Sequence, residues 1–174
     1  MAMVLTTAAC GADVFLPDLW YDATTNLLWQ RGESGDKLDP PEAESYCAGL
    51  SIEGRDGFRL PTIDELKSLL RDCNLSGCGV STSCTDSSTQ GPCFDFDTCD
   101  ADSCYEGEGP GVDGCYLEPA LAGGCGDRLW SSTAAGVSFS DGYHWTLSFS
   151  SPEIDYISDT GRWGKARCVR VGED

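Results

Sequence analysis

The chain has 174 residues, of which 29 are acidic and 11 basic, so its formal charge at neutral pH is −18. This length is enough for one domain with a hydrophobic core. The negative charge opposes contact with nucleic acid, which is a polyanion, and no apolar run is long enough to span a bilayer. We therefore expect neither a nucleic-acid partner nor insertion of the domain into a membrane.

Residues 1–14 are interpreted as a tail, the remnant of an export or lipoprotein signal, and the domain itself is predicted over residues 15–172. The first ten residues are small and apolar but lack the basic start of a secretory signal. Thr7-Ala8-Ala9-Cys10 is weakly similar to the end of a bacterial lipoprotein signal, in which the cysteine carries lipid. Two interpretations of Cys10 stay open: it carries a lipid anchor, or it is an ordinary residue of the tail.

The chain contains 11 cysteines, more than a reducing compartment normally tolerates. Zinc is the alternative, but zinc sites favour closely spaced cysteines with histidine, and His144 is the only histidine. The cysteines therefore predict disulfide bonds and an exported protein. Because their number is odd, at least one has no partner within a monomer, and Cys10 is our candidate.

A hairpin and a helix are predicted first. Residues 19–21 and 27–30 read as strands that flank a turn-forming segment. Pro40-Pro41 then opens a helix in which apolar residues recur at helical spacing as far as Leu50. Cys47 lies on that apolar face, so we expect it to point toward the core.

A second helix is predicted to begin after Thr62. Thr62 and Glu65 form a capping box, in which each residue satisfies a backbone N–H group of the other. An apolar stripe continues the pattern to about Asp72. We expect this helix to have a structural role.

Residues 73–125 differ from both flanks, because they contain eight cysteines and no lysine or arginine. A loop of this length needs crosslinks inside a compact domain. We interpret it as a disulfide-knitted insertion whose internal pairing stays open.

Strand patterns return after the insertion, over residues 128–132, 143–149, 153–157 and 165–171. In the second of these, aromatic and aliphatic residues alternate with polar ones, so one face is expected to pack and the other to be polar. Antiparallel strands together with two early helices predict an α+β fold.

Six motifs in order carry a resemblance to a known family. They are Asp22-x4-Leu27-Leu28-Trp29-Gln30, Ala43-x3-Cys47-x2-Leu50, Phe58-Arg59-Leu60-Pro61-Thr62-Ile63-Asp64-Glu65-Leu66, Leu129-Trp130-Ser131-Ser132, Trp145-x3-Phe149 and Ala166-Arg167-Cys168-Val169-Arg170. Together they resemble the C-terminal domain of the Legionella collagen-like adhesin, a variant of the C-type lectin-like fold. They cover nearly the whole chain apart from the insertion.

The resemblance implies two helices, a twisted antiparallel sheet, and terminal strands that lie side by side. It also implies a disulfide between the first helix and the last strand, which on this sequence joins Cys47 to Cys168. That pair leaves Cys10 and the eight cysteines of the insertion, which can close four bonds among themselves.

The resemblance further implies an exported bacterial surface protein, and the adhesin domain binds sulfated polysaccharides. A charge of −18 opposes such a ligand here unless a cation or a basic patch intervenes. Four basic residues near the C-terminus offer such a patch or are solvated strand ends: Arg162, Lys165, Arg167 and Arg170.

Four carboxylates of the insertion lie close together in sequence, at Asp95, Asp97, Asp100 and Asp102. Alternating acids gather the oxygen ligands that calcium prefers, although this cluster lacks the glycine and final glutamate of an EF-hand loop. Calcium as a cofactor is one interpretation, and a solvated acidic loop is the other.

Aromatic residues in loops are candidates for ligand contact. Trp163 lies in a turn beside Arg162 and is the tryptophan we expect to be exposed, whereas Trp29, Trp130 and Trp145 are expected in the core. The next candidates lie in the insertion. They are Tyr105, Tyr116 and Glu118, the last because Glu118-Pro119-Ala120 is faintly similar to the sugar-binding Glu-Pro-Asn of calcium-dependent lectins.

The sequence offers few candidates for catalytic residues. His144 is predicted on the polar face of a strand, and the cysteines are better explained as bridges than as nucleophiles. A related fold houses the formylglycine-generating oxidases, which need a reactive cysteine pair and copper. No such pair is evident in the sequence, so we predict that the protein is not an enzyme.

The sequence therefore predicts an exported or cell-surface binding module that recognises an extracellular glycan or protein, with calcium assistance open. The alternative is a structural component of a surface or fibre that assembles with copies of itself. A formylglycine-generating type of oxidase is the third hypothesis.

Overall fold

The computed structural model describes residues 17–75, 77–84, 90–91, 94–100, 104, 107–123, 126–136 and 142–172. The helices are α1 (Pro40–Ala48), α2 (Ile63–Lys67) and a short α3 (Phe96–Cys99), with a 3-10 turn at Val112–Gly114. The strands are β1 (Leu19–Asp22), β2 (Leu27–Gln30), β3 (Gln90–Gly91), β4 (Phe94–Asp95), β5 (Arg128–Ala134), β6 (Tyr143–Ser148), β7 (Glu153–Ser158), β8 (Gly164–Lys165) and β9 (Val169–Val171). The α+β class predicted from the sequence is confirmed.

The described strands form a three-stranded sheet in the order β1-β2-β9, a four-stranded sheet in the order β7-β6-β5-β8, and a β3-β4 pair. Trp29 of β2 lies opposite Trp20 of β1 and Val169 of β9, so the first and last strands flank the same central strand. The pairing is antiparallel except between β5 and β8, which are parallel. One sheet was predicted, and the strand expected over 165–171 is divided into β8 and β9.

Helix α1 begins with a capping box that the sequence analysis missed. Asp39 accepts a hydrogen bond from the backbone N–H of Glu42, whose side chain accepts from the backbone N–H of Asp39. Pro40 follows the cap, where a proline loses no helical hydrogen bond. Ala43 and Cys47 on the inner face are fully buried, as their helical spacing predicts.

Helix α2 has the predicted capping box at Thr62 and Glu65 but ends at Lys67, so the extension to Asp72 was wrong. The carbonyl of Leu69 accepts from the N–H of Glu118, and Arg71 donates its N–H to the carbonyl of Tyr116. Backbone groups that would continue the helix are therefore paired with the end of the insertion.

The core consists of two clusters of buried side chains. The first lies among α2, both main sheets and the insertion, and includes Trp29, Trp145 and Leu147. The second lies beneath α1 and includes Trp130 and Cys168. Thr146, opposite Trp130 in the sheet, is fully buried. The second face of β6 is therefore covered at this position, whereas the sequence predicted a polar face.

Disulfide bonds join the elements and crosslink the insertion. The structure has the Cys47–Cys168 bond that the family resemblance implies, closing a sequence separation of 121 residues. Within the insertion, Cys73 is bonded to Cys104 and Cys78 to Cys99, and two further cysteines, Cys84 and Cys115, are also disulfide-bonded. Leu75 and Val80 are buried in the first cluster, so the beginning of the insertion belongs to the core.

Candidate ligand-binding face

Trp163 lies in the turn between β7 and β8 and is 60 % exposed, more than any other large apolar side chain in the described part of the chain. Its indole lies against Gly161, where a Cβ atom would overlap the ring. Glycine at 161 therefore permits this ring position, and the rest of the indole is presented to solvent.

The segment before α1 is held against this turn. The backbone N–H of Leu38 donates to the carbonyl of Gly164 at 2.8 Å, and Nε1 of the buried Trp130 donates to the carbonyl of Leu38 at 2.8 Å. Arg162 makes an ion pair with Glu42 in the first turn of α1. The first turn of α1 and the Trp163 turn therefore form one surface.

A second group of ion pairs lies beside this surface. Nζ of Lys165 is 2.8 Å from Glu33 and 3.2 Å from Asp127, and Nζ of Lys37 is 2.7 Å from Asp127. The hydrogen bond to Glu33 raises the pKa of Lys165, and the hydrogen bond from Lys37 lowers the pKa of Asp127. Both groups therefore keep their charges at neutral pH.

We call this surface and the adjoining ion pairs together the Trp163 face, which is defined by Glu33, Lys37, Glu42, Asp127, Arg162, Trp163 and Lys165. Each of its three basic side chains is paired with a carboxylate. The face consequently combines an exposed aromatic ring with donors and acceptors whose charges balance.

The basic residues near the C-terminus do not form the patch considered from the sequence. Arg167 is fully buried, and its guanidinium donates to the carbonyls of Gln30, Arg31 and Ala122. Burial lowers its pKa to about 10, still well above neutral pH, so the group is a buried cation. Lys165 is held by carboxylates, as described above, and the guanidinium of Arg170 lies 6.0 Å from the ring centroid of Phe58.

Two predicted ligand-binding residues of the insertion have internal roles. Tyr116 is only 4 % exposed, so the exposure expected from the sequence is wrong. Burial raises the pKa of its hydroxyl. The carboxylate of Glu118 lies 2.7 Å from Nε of Arg71 and also accepts from the backbone N–H of Ala120. Tyr105 lies outside the described residues.

The predicted calcium ligands are only partly within the described chain. Asp95 ends β4, Asp97 lies in α3, and Asp100 forms a backbone bridge with Glu153. Asp102 lies outside the described residues. Among the residues that are described, no group of three or more histidine, cysteine or acidic side chains is arranged to hold a metal ion.

His144 has the hydrogen-bonded position expected of a structural residue. Its Nδ1 lies 2.7 Å from Oδ1 of Asp159, and the backbone N–H of Asp159 donates to the carbonyl of Gly142. The pair therefore connects the start of β6 to the turn after β7.

Sequence reasoning named Trp163, Arg162 and Lys165 but missed Lys37 and the carboxylates around them. Glu42 and Arg162 are 120 residues apart in sequence. No local pattern connects such positions, and only the acidic first turn that is typical of a helix start marks Glu42. Lys37 and Asp127 lie in loops without any periodic pattern.

Comparison with known protein families gives a match over most of the chain. The model of the family described as the Lcl C-terminal domain matches residues 18–170. No curated protein and no solved structure matches the chain. None of the helices in the described ranges is long and apolar enough to cross a membrane.

Proposed function

The chain belongs to the Lcl C-terminal domain family, and on that premise we propose that it is an exported module that attaches to an extracellular glycan or protein through the Trp163 face. Membership of this family identifies the chain as an adhesin-related domain. The disulfide bonds support an oxidising location outside the cell, because such bonds are rare in reducing compartments. Display at a bacterial surface is part of the same proposal.

The observation that carries the proposal is the exposure of Trp163. An indole that is 60 % exposed leaves apolar area in water that a ligand can cover. Tryptophan and arginine are the residues most enriched where binding energy concentrates, and Arg162 adjoins Trp163 on the same turn. Covering a large apolar side chain contributes roughly 1.5–3 kcal/mol.

We propose that this face binds a ligand and does not catalyse a reaction. Its acidic and basic groups are engaged with one another at 2.7–3.2 Å in the pairs of Lys37 and Lys165. A general base or nucleophile must instead reach a substrate atom. The arrangement suits contacts to polar groups of a ligand.

Calcium assistance is a separate part of the proposal. It is supported by the spacing of the four aspartates in a crosslinked insertion, a spacing that suits a cation with oxygen ligands. A bound calcium would stabilise the insertion beside β7, where the backbone of Asp100 forms a bridge with that of Glu153.

The proposed function is tested with the complete chain against a panel of immobilised glycans and extracellular matrix proteins. We expect at least one specific signal from the wild type and its loss in Trp163→Ala. Tyr21→Ala is the matched control, because Tyr21 is an exposed aromatic residue of β1, in the other sheet. Unchanged binding by Trp163→Ala would remove the Trp163 face from the proposal.

A further inference from the structure

We infer that the Trp163 face binds an uncharged pyranose ring of a glycan and does not accept a sulfated or other anionic saccharide. This inference rests on the proposed function, because it specifies the ligand class of the same face. It is carried by three features of the face. They are its aromatic ring, the balanced charges of the ion-paired side chains around that ring, which we call the rim, and the restricted motion of the rim.

The aromatic ring matches the apolar side of a sugar. A pyranose presents a flat surface of C–H groups, which the face of an exposed indole can cover. The polar N–H group of the indole lies at the edge of the ring, away from that contact. One edge of the ring already lies against the backbone of Gly161, so part of the indole is in contact with the protein before a ligand arrives.

The charges of the rim match sugar hydroxyls better than sulfates. Arg162 is paired with Glu42, and Lys37 is paired with Asp127. Lys165 contacts both Asp127 and Glu33, so three cations face three carboxylates. A sulfate could contact these cations only beside carboxylates that repel it, and the net charge of −18 adds repulsion at longer range. A hydroxyl both donates and accepts hydrogen bonds, so it can use either member of an ion pair.

The rim is also partly fixed. The side chains of Lys165 and Asp127 are 19 % and 20 % exposed, so the fold restricts their motion while their edges remain accessible. Arg162 is 63 % exposed and provides the adaptable member of the rim.

The inference is tested with an array of neutral oligosaccharides and their sulfated counterparts, probed with the complete chain at about 50 mM and about 500 mM salt. We expect signals on neutral glycans that change little with salt, because no net charge is neutralised on binding. Trp163→Ala should weaken them by at least about tenfold, as expected for the loss of a central aromatic contact.

Three further variants sharpen the test. Gly161→Ala keeps the indole but displaces it, so it should also weaken binding. Tyr21→Ala should bind like the wild type. Glu42→Gln retains a residue suited to the helix cap but releases Arg162 from its carboxylate, and it should gain salt-sensitive binding to sulfated glycans that the wild type lacks.

The outcomes separate the inference from the proposed function. Signals confined to sulfated or sialylated glycans, or to matrix proteins, and lost in Trp163→Ala would overturn the neutral-sugar inference and leave the proposed function standing. Neutral-glycan binding that is indifferent to Trp163→Ala and Gly161→Ala would overturn both.

Discussion

At the scale of single residues, Arg167 shows how a charge can be buried in this acidic protein. Its guanidinium donates to three backbone carbonyls, at 3.1 Å to Gln30 and 2.7 Å to Ala122, with Arg31 as the third acceptor. These contacts connect β2 to the end of the insertion.

We expect Arg167→Met to destabilise the fold by about 2–4 kcal/mol, because the hydrogen bonds that a buried charged donor makes to three backbone carbonyls are lost. The measurement is urea unfolding, together with hydrogen exchange at the amide of Ala122, which donates to Arg31. Arg170→Met is the control, since Arg170 is only partly buried. Equal losses for the two variants would contradict the role assigned to Arg167.

A second prediction at this scale concerns Glu65. Burial acts to raise its pKa, but hydrogen bonds from Arg59 and from the backbone of Thr62 outweigh that effect and lower it. A carboxyl whose pKa is lower in the folded state stabilises the fold above its unfolded pKa, and this contribution is lost as the pH falls through the folded pKa.

Glu65→Gln should therefore lower stability at neutral pH and have progressively less effect in acid. Urea unfolding between neutral pH and the acid range measures the difference between wild type and variant. A difference independent of pH would mean that the charge of Glu65 contributes nothing. Glu44→Gln, on the exposed side of α1, controls for the general effect of removing a carboxylate.

Residue roles were predictable from the sequence only where a local pattern existed. The burial of Cys47 followed from helical spacing and the exposure of Trp163 from its position in a turn. The burial of Tyr116 and the ion pair of Glu118 were not foreseen, because the surroundings of both residues come from Leu69–Arg71. Such contacts between distant segments leave no mark in a single sequence.

At the scale of elements, the insertion is partly an extension of the core. Residues 69–71 pair with residues 116–118, and Nζ of Lys67 donates to the carbonyls of Cys78 and Val80 at 3.1 Å each. The capping box predicted where α2 begins. The end of α2 could not be predicted, because it is determined by the pairing of residues 69–71 with residues 116–118.

The disulfides should differ in their contribution to stability. In the chain-entropy model, the Cys47–Cys168 bond, with a separation of 121, contributes about 5 kcal/mol, and Cys78–Cys99, with a separation of 21, about 3 kcal/mol. Unfolding of the two double-alanine variants measures both. A smaller loss on removing Cys47–Cys168 than on removing Cys78–Cys99 would contradict this ranking.

Calcium binding by the insertion remains a prediction at the same scale. If Asp95, Asp97, Asp100 and Asp102 hold calcium, added calcium should raise the melting temperature relative to a chelator, since a ligand bound only to the folded state stabilises it. Replacing all four aspartates with asparagine should abolish the shift. An unchanged melting temperature in wild type would identify the cluster as a solvated acidic loop.

At the scale of the whole molecule, local strand and helix patterns predicted the α+β class, and the order of the motifs predicted the family. The neighbouring terminal strands were implied by the resemblance to that family. The two main sheets separate because β8 pairs with β5 whereas β9 pairs with β2, and the charged residues of the Trp163 face meet because the segment before α1 packs against β8. Such contacts between distant segments are determined by the packing of the elements. They cannot be predicted from local sequence patterns.

The central claim is that attachment occurs through the Trp163 face, and bead adhesion tests it most directly. Beads carrying the wild-type chain, Trp163→Ala or Tyr21→Ala are applied to extracellular matrix laid down by cultured cells, after equal thermal stability has been verified. Our account predicts adhesion of the wild-type and Tyr21→Ala beads, and a fall to the level of uncoated beads for Trp163→Ala. Full adhesion of the Trp163→Ala beads would contradict it.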